Sequence, residues 1–131
     1  MAIEELIRRW AEAAHSGPLE SVLAHHSDDI VMFDVPPPHR GVRGVEAYRE
    51  TWPGFLEWQA TGASFEIEEL EVTEGADVAF AWALVRCGTP EGFAAEPDRR
   101  LRLTIGLRHE GGDWLVIHEH HSFADVTTEP V

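Results

Sequence analysis

The sequence holds one cysteine, Cys87, so no disulfide can close within the chain and stability must come from packing. It has no apolar run near the roughly 18 residues that a membrane span needs. Its first ten residues, MAIEELIRRW, carry acidic side chains where a secretory leader carries basic ones. A cytoplasmic address is expected from both absences. Basic side chains are scarce as well, ten against twenty-four Asp and Glu, for a formal net charge of -14. That balance repels phosphate backbones and anionic membranes, which sets nucleic acid and membrane aside as partners and otherwise serves solubility. Repeats, low-complexity tracts and linker-like stretches are also missing, so residues 1–131 are expected to form one domain around one core. Only the tail from Thr127 to Val131 is expected to fray.

What is present reads as helices followed by strands. Ile3, Leu6, Ile7, Trp10 and Ala14 recur at helical spacing, which predicts an amphipathic helix over Ala2 to His15, ended by Gly17 and Pro18. Leu19 to His25 fits a second short helix. The run SDDIVMFDV then alternates as a strand, with Ile30, Met32 and Asp34 on one face, until PPPHRG breaks it. Helical spacing returns over Val45 to Trp58, with Val45, Tyr48, Trp52 and Leu56 on one side and Pro53 placed to kink or divide it. Four β-rich segments follow: Phe65 to Thr73, Asp77 to Cys87, Arg99 to His109 and Trp114 to Ser122. EGAD, a longer loop TPEGFAAEPD and EGGD separate them, as in an antiparallel meander. This order predicts an α+β cone, N-terminal helices on a strongly curved antiparallel sheet that encloses a pocket. In the first of the four segments the apolar phase switches between Phe65, Ile67 and Leu70, Val72, which predicts a bulge there.

The last two strands have no plainly solvated face. One alternates Leu101, Leu103, Ile105, Leu107 against Arg100, Arg102, Thr104, Gly106, Arg108. The other alternates Trp114, Val116, His118, His120, Ser122 against Leu115, Ile117, Glu119, His121. An exposed row of four aliphatics is a large patch for a monomer, so a homodimer through the convex face of the sheet is expected, with helices covering the concave face.

The order helix, helix, DD-x-x-x-x-D strand, R-G turn, aromatic helix and four strands ending in W-x-x-x-H-x-H-H-S resembles the nuclear transport factor 2 superfamily. Its SnoaL-like and ketosteroid-isomerase-like bacterial members are the nearest in pattern, and the resemblance runs from about Ile3 to Ala124. It implies the cone fold. In ketosteroid isomerases the aspartate five residues after the paired acids is the general base, and that spacing runs here from Asp29 to Asp34. Those enzymes also use a first-helix tyrosine and a protonated late-strand aspartate, at places held here by Trp10 and approximately Thr104. An indole N–H or a hydroxyl can still donate a hydrogen bond to a substrate oxygen.

Asp34 is therefore a candidate catalytic base, with turn capping the competing role. His118 is the second catalytic candidate; it shares a strand face with His120, as a proton relay or a donor pair requires. Arg102 and Thr104 form an R-x-T on one face, where Arg102 offers a permanent charge to a ligand carboxylate or to Asp34. Trp10, Trp52 and Trp82, with Trp58 and Phe80, are expected as walls for a small apolar or aromatic metabolite. Three functional readings stay open. The first is cofactor-independent isomerase- or cyclase-type acid/base chemistry on a carbonyl compound, with no metal. The second is a non-catalytic binding or dimerisation module. The third is a metal site built from His118, His120 and Asp34. Cys87 as a nucleophile ranks below these.

Overall fold

The computed structural model of the chain describes residues 1–126, so the tail expected to fray lies outside the described residues. Helix α1 (Ile3–Ser16) buries Ile3, Leu6, Ile7, Trp10 and Ala14, the predicted stripe. It stops at Gly17, whose positive φ of 72° lets its N–H donate back to the Ala13 carbonyl. Helix α2 (Leu19–Leu23) leads into β1 (His26–Phe33), and the two-residue strand β2 (Val42–Arg43) follows the proline turn. The predicted helix over Val45 to Trp58 is two helices, α3 (Val45–Glu50) and α4 (Trp52–Gln59), joined at Thr51. Pro53 sits in the first turn of α4, where its missing N–H costs nothing.

The meander is β3 (Ser64–Glu74), β4 (Val78–Gly88), β5 (Leu101–Glu110) and β6 (Asp113–Ser122). The segment read as a loop between β4 and β5 contains a further helix, α5 (Pro90–Ala95). Thr89 caps it by accepting from the Gly92 N–H at 3.1 Å, and Pro90 follows at the first helical position; this Thr-Pro pair was the available signal. The six strands order as β2-β1-β6-β5-β4-β3. Every neighbouring pair is antiparallel except β1 and β6, so the sheet is mixed rather than wholly antiparallel. The long excursion through α3, α4 and the meander brings β6 back beside β1 in the same direction, which a short hairpin cannot do.

Two bulges within the meander set its shape and the direction of its side chains. The predicted one lies in β3, where Ile67 pairs with Val85 but Glu69 with Leu84, leaving Glu68 unmatched. The second was not predicted: Gly106 pairs with His118 but Leu107 with Val116, leaving Ile117 unmatched in β6. The helix-covered face takes Ala79, Ala81, Ala83 and Val85 from β4 and Leu101, Leu103, Ile105 and Leu107 from β5. These four aliphatics are core residues of a single copy, so they do not supply the exposed patch from which a dimer was expected.

The loop between β1 and β2 turns back at Gly41, where φ is 86° and an added Cβ would lie 2.6 Å from the Phe33 ring and 2.9 Å from the Met32 carbonyl oxygen. We predict that Gly41→Ala lowers unfolding free energy by about 1–3 kcal/mol, measured by urea denaturation. An unchanged midpoint would show that this loop relaxes freely.

Candidate active site

The bulge at Ile117 decides which histidines face inward. Upstream of it Val116 points into the core; downstream, Glu119 and His121 do, while His118, His120 and Ser122 turn to the outer face. Gly106, opposite His118, was the one mark in the sequence, because glycine inside a strand often accompanies a bulge.

Glu119 is 1% exposed, and a carboxylate taken that far from water is unfavourable by several kcal/mol unless donors surround it. Its Oε2 accepts from His26 Nε2 at 2.7 Å and from the Tyr48 hydroxyl at 2.8 Å, and its Oε1 accepts from His121 Nε2 at 2.9 Å. Trp10 Nε1 in turn donates to the Tyr48 oxygen at 3.1 Å. His26 Nδ1 faces the Ala24 carbonyl at 2.8 Å, and its Nε2 also lies 3.0 Å from the Tyr48 hydroxyl. Burial by itself would raise the Glu119 pKa; the hydrogen bonds from His121 and His26, together with the charge of His26, outweigh it and hold the carboxyl at about 2. Burial, reinforced by the Glu119 charge, pushes the Tyr48 phenol well above its ordinary value, so it stays a neutral donor.

His121 stands at the border between this network and a cavity of about 450 Å³. Its ring lines the cavity and meets Trp10 edge-on at 6.1 Å. With Nε2 committed to Glu119, Nδ1 makes no hydrogen bond among the described residues. The remaining wall is mainly aromatic and aliphatic, from Trp52, Phe55, Trp58, Phe65, Phe93 and Leu101. Trp52, Phe55 and Phe65 meet edge-to-face, which fixes their planes. Trp52 Nε1 is the one buried side-chain polar atom without a hydrogen-bond partner among the described residues. Asp34 and Arg99 bring the only formal charges to the lining. Cys87 also lines it, but burial pushes its thiol up to about 11, against a smaller opposing effect of Arg99, so it stays protonated near neutrality.

The predicted site residues divide between the two sides of the sheet. Asp34 and Trp52 lie on the cavity. The Asp34 carboxylate accepts from the Val35 N–H at 2.8 Å, so it caps the turn while lining the site. Trp10 lies one layer behind the cavity wall, engaged with Tyr48, and does not line it. Trp82, Thr104 and His120 are brought together, but in one cross-strand row on the outer face, which Phe33 extends on β1. His118 faces outward too, its Nδ1 donating to the Val31 carbonyl at 2.6 Å. Arg102 reaches Ser122 Oγ and the Phe123 carbonyl on that same side. A metal triad from Asp34, His118 and His120 loses its geometry, since the sheet separates its members. The buried residues that sequence reasoning missed are Glu119, His121, His26 and Tyr48.

This is a helix-backed, six-stranded sheet with an internal cavity, the nuclear transport factor 2-like, or cystatin-like, class of α+β fold. The chain belongs to the SnoaL-like domain family, which it matches over residues 3–126. It is similar to the structure of an NTF2-like protein of unknown function from Pseudomonas putida, with 34% identity, a TM-score of 0.81, and coverage of 98% of this chain and 90% of that one. An NTF2-like protein from Novosphingobium aromaticivorans shares the fold at 20% identity and a TM-score of 0.73, over 96% and 82% of the two chains. A proposed ketosteroid isomerase from Shewanella frigidimarina does so at 17% identity and a TM-score of 0.70, over 90% and 92%. No curated protein matches the chain. Among the described residues no helix is long and apolar enough to cross a membrane.

Glu119→Gln removes the charge around which His26, Tyr48 and His121 are arranged, and a loss of about 3–5 kcal/mol in stability at neutral pH is expected. A carboxyl whose pKa is depressed on folding contributes stability above its unfolded value of 4.5 and loses it as pH falls toward about 2. Acid titration of the unfolding free energy should therefore be less steep between those values in the variant. Parallel curves would mean that Glu119 is not ionised in the folded protein.

Proposed function

We propose that the chain is a small-molecule pocket protein performing cofactor-independent acid/base chemistry on a mostly apolar, carbonyl-bearing metabolite. The observation that carries this reading is His121, held through Nε2 by a buried carboxylate in the wall of a largely aromatic cavity. A histidine so oriented can accept a proton from carbon next to a carbonyl, and the adjacent Glu119 charge stabilises the imidazolium that forms. Where the carbonyl compound carries a β,γ double bond, the same imidazolium returns the proton to the γ carbon of the resulting dienolate, which shifts the double bond into conjugation and completes an isomerisation without a cofactor. Asp34, on the same cavity, is the second group available for proton transfer.

Exchange of solvent deuterium into candidate cyclic ketones, followed by NMR, tests the assignment. His121→Asn should slow exchange at least 100-fold, while Asp34→Asn should retain a measurable rate. The opposite pattern would return the base to Asp34, and equal rates in all three proteins would remove the chemistry altogether.

One observation favours a binding role without catalysis. Trp10 and Thr104, at the places where the isomerases hold their oxygen-binding donors, do not line the cavity. In that reading the cavity retains a ligand, and the protein acts as a binding module of the same fold.

We also propose that a second copy covers the outer face of the sheet. Phe80 and Trp82 are 51% and 42% exposed there, and the row Trp82, Thr104, His120, Phe33 crosses four strands. Apolar rings in continuous rows on a sheet face are the composition of an interface rather than of a solvated surface. Native mass spectrometry should show a dimer that Trp82→Glu converts to monomer; a monomeric parent protein would refute the arrangement.

A further inference from the structure

We infer that the ligand of this cavity carries a single carboxylate, held by Arg99 at the rim while its apolar body lies against the aromatic wall. The inference rests on the cavity being a ligand site, as proposed above, and adds the charge and polarity of what enters.

All ten basic residues of the chain are arginines. Among the described residues Arg8, Arg9, Arg49, Arg100 and Arg108 each pair with a carboxylate. Arg99 does not. Among the described residues no ion pair joins it to Glu96, Asp98 or Asp34, although Asp34 and Arg99 line one cavity. The guanidinium instead lies over the Phe123 ring at 3.9 Å, and Phe123 lines the cavity as well. Stacking occupies one face of the planar group and leaves its N–H edges available, the geometry that receives a planar carboxylate through two parallel hydrogen bonds. In a chain of net charge -14, an arginine left without a carboxylate at the mouth of an apolar cavity is a local reversal of the surrounding field.

The same charges limit the ligand. One guanidinium neutralises one negative charge. A phosphate monoester would bring a second into a cavity that already holds Asp34 and whose remaining wall is largely apolar. The geometry thus selects an aromatic or alicyclic monocarboxylate over phosphorylated or nucleotide-bearing compounds.

Tryptophan fluorescence titration of the full chain tests this, because Trp52 and Trp58 line the cavity. The probes are 2-naphthoate, the neutral 2-naphthamide and the dianionic 2-naphthyl phosphate. The expected result is about tenfold tighter binding of naphthoate than of amide, with the phosphate weaker than naphthoate. Arg99→Gln should erase the preference for the acid while leaving amide affinity within about twofold, which also shows that the cavity is intact. Arg102→Gln, on the outer face, should change nothing. Equal affinity for acid and amide in the parent protein, or a preference that survives Arg99→Gln, overturns the carboxylate inference and leaves the pocket reading standing. Binding of none of the three probes overturns both.

Discussion

A carboxylate that is almost wholly removed from water has to be met by donors on every accessible side, and Glu119 draws those donors from separate parts of the chain. His26 comes from β1, Tyr48 from α3 and His121 from β6 itself, with Trp10 of α1 one hydrogen bond further out. Satisfying one buried charge therefore fixes where two helices sit on the sheet and how β1 lies against β6. Aliphatic packing alone is less demanding, since leucines tolerate many arrangements of about the right volume. The polar cluster requires one.

The same cluster prepares the site. A neutral imidazole with one nitrogen engaged by a carboxylate has a defined tautomer and a fixed ring plane, which is what a proton acceptor at the edge of an apolar cavity needs. Around His121 the wall contributes little but rings and aliphatic carbon, so polar interactions there are not diluted by water. Asp34 and Arg99 are set apart from one another on that wall, each keeping its charge available rather than cancelling the other. The outer face is organised differently, as rows of rings and short polar side chains from Trp82 to Phe33. The sheet thus separates two kinds of surface, and the two catalytic candidates read from the sequence are divided by it, Asp34 on the cavity and His118 on the outer face.

Much was legible in the residues themselves. Apolar periodicity marks α1 and the split helix around Pro53, turn residues mark the meander, and the phase switch at Phe65 to Val72 marks the bulge in β3. These are local properties, because backbone preference and side-chain period act over a few residues. The class of fold follows from their order, helices before strands. Asp34 and Trp52, both named from the sequence, line the cavity.

Which face of β6 is inward was a different kind of question. A strand's alternation is a rigid code until one extra residue resets it, and whether Ile117 is that residue depends on its register with β5, not on its own neighbours. The sequence by itself thus determined most of the elements, the family resemblance and the list of histidines, aromatics and acids from which a site could be made. Tertiary structure alone decided that Glu119 and His121 are inside while His118 and His120 are outside, that β1 and β6 run parallel, and that Arg99 rather than Arg102 stands at the cavity. The physical reason is that pairing register and burial are settled between segments far apart in the chain, where the free energy of a buried charge outweighs any local preference for one face over the other.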